Sequence, residues 1–330
     1  MKRVAVIGAT GVQGGGVVSA LLSDPSKSFH VVAITTNPGS HRARSILSKY
    51  ADKIKDGRFE LVVATLNDEE SLVKALEGCQ LLFASFGPGA PPEQQGGEPE
   101  ELKQGKNLVR AAEAVGIEHF VYSSLTSLKE ESKGKYTDIH HHEAKAAVED
   151  FAKERLKFFT TIKPAAFYTN LGGPGWVRRQ GDGTALFCAP FQSNVRLAWT
   201  DAGYDVGNFA LAIFHKGGEA TNGKSYFCAD SRAKSIGEIA SEYHAVTGEK
   251  VAVEPLPIKQ GAALTTKDLG FPESFEQELE DTFTWFNELY ADLPSDALEY
   301  PTNQVYEELG VKASSLAQYL ERSGWRVQGH

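Results

Sequence analysis

A histidine and a lysine, His141 and Lys145, stand four residues apart in the segment HHHEAK. If residues 139–152 form a helix, the two side chains lie on one face of it, one turn apart. An imidazole gains or loses a proton close to neutral pH, and a lysine can donate a proton or stabilise a developing oxyanion. The spacing therefore predicts a pair capable of acid–base catalysis, although two polar residues on a solvated helix face would give the same pattern.

A run of glycines near the N-terminus has the spacing of a phosphate-binding turn. The letters GATGVQG follow a short β-branched run at 4–7 and open a stretch at 12–22 whose apolar residues recur at helical spacing. The first glycine allows a tight turn, the second lets the backbone approach a pyrophosphate, and the third lets the helix pack on the strand. The helix N-terminus adds unpaired N–H groups. We therefore predict a dinucleotide site. Its predicted contact residues are Gly8, Thr10, Gly11, Val12, Gln13 and Gly14.

The end of the predicted second strand indicates which dinucleotide is bound. Sites that prefer NAD place an acidic residue about 20 residues after the glycines. This chain instead reads Thr35, Thr36, Asn37 and Pro38, with Arg42 just beyond. Hydroxyl and amide donors together with a guanidinium suit a 2′-phosphate. We therefore predict NADP(H), held by the two threonines, the asparagine and the arginine, although a solvated charge at a helix start would give the same arginine.

The elements that position these groups alternate along the chain as strand and helix. The predicted strands are 4–7, 31–35, 61–64, 81–86, 120–123 and 158–163, and the predicted helices are 12–22, 68–76, 101–115 and 139–152. Near-continuous apolar runs such as LLFASF are typical of strands covered on both faces. We predict an α/β fold with a doubly wound parallel Rossmann sheet over 1–171. A smaller α/β substrate region follows over 172–330, with strands such as 224–227 that interleave with the first sheet.

The carboxyl ends of the strands in such a sheet meet at one edge, where ligands bind. Further cofactor contacts are therefore predicted from the residues at or near this edge, which are Ser85, Phe86, Gly87, Ser124, Lys145, Pro164, Phe167 and Asn170. Tyr168 and Trp285 are predicted to contact the substrate. Trp285 stands beside a stripe of apolar residues at helical spacing, which is more typical of a core. The glycine- and proline-rich segment 87–99 is predicted to be a surface loop that could close over a substrate.

Composition argues against several function classes. With a formal net charge of -9 and no basic stripe, the chain is not expected to bind nucleic acid directly. Three cysteines without CxxC spacing predict ordinary thiols, and consecutive histidines at 140–142 point in different directions on a helix, so no metal site is expected. The sequence contains no apolar run of about 18 residues, so no membrane span is predicted. We expect a cytoplasmic protein with a small-molecule substrate.

These motifs resemble those of the NmrA-like family of atypical short-chain dehydrogenase/reductases. The resemblance runs nearly end to end and rests on GATGVQG, TTNP, KQGKNLVRAAEAVGIEHFVYSSL, HHHEAK and TTKDLGFPESF. It implies a Rossmann domain that binds NADP(H). Lys145 matches the lysine that isoflavone reductase-like members keep as a catalytic residue. His141 stands where a standard short-chain dehydrogenase has the tyrosine of YxxxK.

Two functions remain open at this point. The first is an NADPH-dependent reductase of a small carbonyl- or enone-type metabolite, with Lys145 as the key catalytic residue and His141 beside it. The second is a non-catalytic NADP(H) sensor that regulates transcription through a protein partner, which would allow a nuclear location. The resemblance includes both kinds of protein, and the missing tyrosine favours the second.

Overall fold

A parallel sheet forms the centre of the structure, a computed structural model that describes residues 1–87, 98–291 and 302–328. The described strands in chain order are β1 (Lys2–Ile7), β2 (Phe29–Thr35), β3 (Phe59–Val63), β4 (Leu81–Ala84), β5 (His119–Ser123), β6 (Phe158–Pro164), β7 (Ala166–Phe167), β8 (Val177–Arg179), β9 (Ala185–Phe187), β10 (Trp199–Thr200), β11 (Ser225–Cys228) and β12 (Val251–Val253).

Seven of these strands form the central sheet in the order β11-β6-β5-β4-β1-β2-β3. All neighbouring pairs in this sheet are parallel. The order runs outwards in both directions from β1 and β4, so the chain changes direction of winding between these two strands. The predicted doubly wound parallel sheet is confirmed.

Helices cover both faces of the central sheet. The described helices are α1 (Val12–Ser23), α2 (His41–Lys49), α3 (Ala51–Lys55), α4 (Glu69–Leu76), α5 (Glu100–Val115), α6 (Leu128–Glu131), α7 (His140–Lys153), α8 (Asp205–Lys216), α9 (Gly218–Thr221), α10 (Ile236–Thr247), α11 (Ile258–Leu269), α12 (Glu276–Leu289), α13 (Thr302–Leu309) and α14 (Leu316–Ser323). Helices α1 and α8 bury apolar side chains against one face, and α4, α5 and α7 do so against the other. This double cover explains why the strands are apolar on both sides.

A second core lies in the C-terminal part of the chain. It is built around the small sheet of β8, β9 and β12 and the helices α10, α12 and α14. Phe275, Leu279 and Phe283, which recur at helical spacing in the sequence, are buried in this core. The stripe is therefore a packing surface, as its spacing most often indicates.

The C-terminal part also completes the first sheet. Strand β11 pairs with β6 in the register Ser225↔Thr161, and α8 joins the core that contains α1. The strand predicted at 224–227 thus returns to the first sheet as β11. The division of the chain after residue 171 stays a prediction.

Of the loop predicted at 87–99, residues 88–97 lie outside the described residues. Within the ranges that are described, no helix combines the length and the apolar character needed to cross a membrane.

Candidate functional site

A cavity of about 450 Å³ lies at the carboxyl edge of the sheet, where the winding changes direction between β1 and β4. It is formed by the turn between β1 and α1, the ends of β2 and β4, and the start of α2. Its lining residues are Ile7, Gly8, Thr10, Gly11, Val12, Gln13, Gly14, Ile34, Thr35, Thr36, Arg42, Ala64, Leu66, Leu72, Ser85, Phe86, Gly87 and Phe167. The cavity therefore brings together most of the residues predicted to contact the cofactor.

Close backbone contacts explain the glycines of the turn. Gly8 has a φ of +77°, and a Cβ atom there would lie 2.1 Å from the carbonyl oxygen of Ser85. At Gly14 a Cβ atom would lie 2.2 Å from the carbonyl oxygen of Gly8. Any side chain at either position would thus push α1 and β4 away from the turn. The predicted physical roles of the first and third glycines match this packing.

The N-terminus of α1 opens onto the cavity without a side-chain cap. Gly11 is the N-cap residue, no side chain accepts a hydrogen bond from the first turn, and that turn contains no acidic residue. The free N–H groups of a helix start, together with the helix dipole, favour an anion. This part of the cavity therefore fits the pyrophosphate of a dinucleotide.

The end of β2 supplies a polar, non-acidic wall. Thr36 and Arg42 line the cavity, and no described lining residue is an aspartate or glutamate. Asn37 is not part of the lining. Its Oδ1 atom accepts a hydrogen bond from the N–H of Gly39 at 3.0 Å, because the asparagine closes its own turn.

Lys145 is held directly behind the cavity wall. Its Nζ atom donates to the carbonyl oxygen of Phe86 at 2.8 Å and forms an ion pair with Glu101. The lysine is 9% exposed and the glutamate 2%. Phe86 lines the cavity, so Nζ is one hydrogen bond away from a lining residue. Lys145 therefore lies close to the predicted site but in a buried ion pair.

Sequence reasoning missed Glu101, which lies in the first turn of α5. A glutamate at a helix start normally compensates the helix dipole, so no local signal distinguishes this one. Burial raises the pKa of the Glu101 carboxyl, and the Lys145 ammonium opposes that rise. Oε2 of Glu101 is buried and has no hydrogen-bond partner among the described residues. The only clue in the sequence is long-range, since α5 and α7 follow neighbouring strands.

His141 pairs with a residue of the C-terminal region. Its backbone N–H donates to Oε1 of Glu278 at 2.8 Å, and its Nδ1 atom pairs with the same carboxyl oxygen. Burial lowers the pKa of His141 to about 3 and raises the pKa of Glu278 to about 7. An imidazole with so low a pKa is a poor proton donor at neutral pH. This environment gives His141 a structural contact with the C-terminal region.

The neighbouring polar residues connect the site to the sheet. Ser123 at the end of β5 donates to Oε1 of Gln13 at 2.7 Å and so links the glycine turn to that strand. Ser124, predicted to contact the cofactor, is fully buried and donates to Glu149 at 2.9 Å. The structure therefore directs Ser124 towards α7 and away from the cavity lining.

Four further predicted residues are not brought to the cavity lining. Tyr168 is fully buried in the second core, where its ring stacks on Trp199. Trp285 is buried against Leu128 and Ile139. Pro164 is buried at the end of β6, and Asn170 lies in the short 3₁₀ turn that follows. Phe167, by contrast, does line the cavity. Packing in the second core accounts for the position of Tyr168, and packing against Leu128 and Ile139 accounts for that of Trp285.

The described residues contain no cluster of His, Cys, Asp or Glu that could hold a metal ion. The rings of His141 and His142 lie next to each other. Nδ1 of His142 donates to the carbonyl oxygen of Thr126 at 2.8 Å, and Nδ1 of His141 pairs with Glu278.

A sequence model of the NmrA-like family matches residues 1–320 of this chain. The chain belongs to the NmrA-like family. One NmrA-like relative is the NmrA-like family domain-containing oxidoreductase FrzB of Cladobotryum sp, which is 31% identical over 268 residues, or 77% of this chain and 76% of that protein. The family resemblance based on the sequence motifs is thus confirmed.

Two solved structures share the NmrA-like fold over nearly the whole chain. NmrA, a negative transcriptional regulator, superimposes with a TM-score of 0.74 at 20% identity and covers 98% of both chains. A Citrobacter sp. triphenylmethane reductase, crystallised with NADP(H), superimposes with a TM-score of 0.68 at 20% identity, covering 98% of this chain and 99% of that one. At such identities the likeness concerns the fold. One of these two proteins is a regulator and the other a reductase, so the shared fold by itself is compatible with either function.

Proposed function

We propose that this NmrA-like chain binds NADP(H) in the cavity and reduces a small carbonyl- or enone-type compound. The observation that carries the proposal is that the uncapped start of α1 and the contact between Lys145 and Phe86 meet at one edge of the sheet. The oxidoreductase designation of FrzB and the NADP(H) complex of the triphenylmethane reductase support it.

The residues that would hold the cofactor follow from the polarity of the cavity. The N–H groups at the start of α1 would bind the pyrophosphate. Thr36 and Arg42 would bind the 2′-phosphate, because a hydroxyl and a guanidinium both donate hydrogen bonds to phosphate oxygens. A carboxylate in the cavity wall would repel that phosphate, and none of the described lining residues is an aspartate or glutamate. NADP(H) is therefore preferred over NAD(H).

When bound, NADPH would supply the hydride for the reduction. The oxygen of a carbonyl or enone would then gain negative charge, which requires a positive group or a proton nearby. Lys145 can provide both at its Nζ atom, since an ammonium has three donor hydrogens and the two described contacts occupy two of them. The apolar rings of Phe86 and Phe167 on the cavity wall limit the access of water.

The proposal is tested by replacing Lys145 with alanine. Lys145→Ala should lose NADPH oxidation by about 100-fold or more, the scale of a lost general acid, while NADPH still binds. Lys153→Ala is the matched control. Lys153 lies on the same helix, but its side chain is more exposed than that of Lys145 and pairs with Glu149 and Asp150. Turnover is followed with 1,4-naphthoquinone and a panel of small enones and aldehydes. A wild-type protein that binds NADPH but reduces no member of the panel would contradict the proposal.

A sensor function is the alternative that the ion pair of Lys145 favours. An ion pair with a buried carboxylate is also what a lysine with a purely structural role would form. If the protein is a sensor, its binding to a protein partner should differ between NADP⁺, NADPH and the cofactor-free state. A pull-down whose captured proteins are the same in all three conditions would count decisively against it.

A further inference from the structure

The contact between Glu101 and Lys145 joins two helices that otherwise belong to separate strand–helix units. Glu101 lies in the first turn of α5 and Lys145 in the second turn of α7, and the two side chains form a buried ion pair. The same Nζ atom donates to the carbonyl oxygen of Phe86, just beyond the end of β4. Glu101 therefore fixes Lys145 against a residue of the cavity wall.

We infer that Glu101 is a positioning residue, which holds the Nζ atom of Lys145 beside Phe86 at the cavity. The catalytic consequence rests on the proposed reductase function. The effect on the position of the Lys145 side chain does not, and can be measured on the protein without any substrate.

The charges around Lys145 support this role for Glu101. On its own helix Lys145 is near His141 and His142, whose pKa values are both lowered, in part by the lysine charge. Glu278 of α12 is paired with His141, and the hydroxyl of Tyr122 on β5 is buried and has no described partner. Glu101 is the carboxylate in direct contact with Nζ among the described residues. A buried ammonium without such a counter-charge is strongly disfavoured.

Removing the charge of Glu101 should therefore free the Nζ atom of Lys145 from its fixed position beside Phe86. In Glu101→Gln the side chain keeps its size, but the amine of Lys145 loses the carboxylate that holds it.

Lysine acylation measures how tightly the Lys145 amine is held. The full-length protein is treated with acetic anhydride at a single pH, and the rate of acetylation of Lys145 is followed by mass spectrometry. In Glu101→Gln this rate should rise by about tenfold or more, equal to the loss of about 1.4 kcal/mol of contact. Glu149→Gln is the matched control, because Glu149 is also a buried glutamate but contacts Ser124, Lys153 and Lys163 instead. Equal Lys145 acetylation rates in the wild type, Glu101→Gln and Glu149→Gln would overturn the inference.

A second variant keeps the test valid if Glu101→Gln does not fold. Glu101→Asp retains the charge but shortens the side chain, so its carboxylate no longer holds Nζ beside Phe86. In this variant kcat with 1,4-naphthoquinone should fall while the Kd of NADPH is unchanged. An unchanged kcat in Glu101→Asp would overturn the positioning role. If the wild type has no turnover at all, the proposed function fails, whereas faster acetylation of Lys145 in Glu101→Gln would still support the ion-pair part of the inference.

Discussion

Glu278 of α12 accepts the backbone N–H of His141 at 2.8 Å, at the start of the helix that carries Lys145. Helix α7 has Ile139 at its N-cap position, and no side chain of its own start provides a capping hydrogen bond. A carboxylate from the C-terminal region therefore takes the place of a local cap, a contact worth about 1 kcal/mol in typical helices. The two regions of the chain are coupled through the helix of the proposed site.

The pH dependence of stability should expose this pair. Burial raises the pKa of Glu278 from 4.5 to about 7 and lowers the pKa of His141 from 6.5 to about 3. Between pH 4.5 and 6.5 the unfolded chain holds one proton on the histidine, and the folded chain holds one on the glutamate. The two effects cancel, so the pair adds no slope to the free energy of unfolding in this range.

Glu278→Gln should remove the cancellation. The folded variant no longer binds the proton of the glutamate, whereas unfolding still allows His141 to take one up below its ordinary pKa of 6.5. The free energy of unfolding should then fall with decreasing pH, relative to the wild type, by up to about 1.4 kcal/mol per pH unit. Urea denaturation of both proteins on either side of pH 6.5 measures the difference.

Glu288→Gln is the control for this experiment. Glu288 lies on the same helix but is more exposed, and its hydrogen bond from Lys135 lowers the pKa of its carboxyl. It therefore stays ionised in both states above pH 4.5, and its removal should add no slope there. A Glu278→Gln protein with the same pH dependence as Glu288→Gln would show that His141 is not held neutral by burial.

Cofactor preference should depend on Thr36 and Arg42. Thr36→Asp introduces a carboxylate that would repel a 2′-phosphate and accept hydrogen bonds from a ribose 2′-hydroxyl, so the NADP⁺ to NAD⁺ affinity ratio should fall by about tenfold or more, equal to about 1.4 kcal/mol. Arg42→Ala should weaken NADP⁺ binding and leave NAD⁺ binding nearly unchanged. Calorimetric titration with both dinucleotides provides the ratio. An unchanged ratio in Thr36→Asp would mean that the phosphate site has been assigned to the wrong residues.

The second glycine of the turn should matter for binding more than for stability. A Cβ atom at Gly11 would lie 3.2 Å from the carbonyl oxygen of Gly8, a contact that small shifts can relieve, but it would add bulk where the pyrophosphate approaches. Gly11→Ala should therefore lower the affinity for NADPH by at least about tenfold. Gly15→Ala is the control, because a Cβ atom there would make an ordinary contact, 3.5 Å from the carbonyl oxygen of Ala9. That variant should bind normally and gain about 0.5–1 kcal/mol of stability; equal affinities in the two variants would argue against a close phosphate.

Two buried tyrosines should respond in opposite ways to loss of the hydroxyl. The hydroxyl of Tyr122 is buried and unpartnered among the described residues, so Tyr122→Phe should leave stability unchanged or raise it by up to about 1 kcal/mol. The hydroxyl of Tyr243 donates to Glu249 at 2.7 Å and accepts from the N–H of Val327 at 3.1 Å. Tyr243→Phe should therefore cost about 1–3 kcal/mol. Urea denaturation of both variants provides the comparison, and a large loss in Tyr122→Phe would indicate a bridging water at that hydroxyl.

Several features of this protein were determined by the sequence alone. The alternation of apolar strands and helices predicted the central sheet, because the burial of both sheet faces leaves a local pattern. The spacing of Gly8, Gly11 and Gly14 predicted the turn, because close backbone approach tolerates no side chain. The lack of an acid beside Thr36 indicated the preferred dinucleotide. Each of these signals lies within a few consecutive residues.

The surroundings of Lys145 were decided only by the tertiary structure. Its partner Glu101 is 44 residues away in the chain, and Glu278 is 137 residues from His141. Both glutamates have the same local appearance as any acidic residue in the first turn of a helix. Which of them meets a buried base depends on how α5, α7 and α12 pack, and that packing is set by the apolar faces of the helices. Tyr168 and Trp285 illustrate the same limit, since an aromatic residue can face a ligand or a core. Here both are buried, Tyr168 in the second core and Trp285 against Leu128 and Ile139.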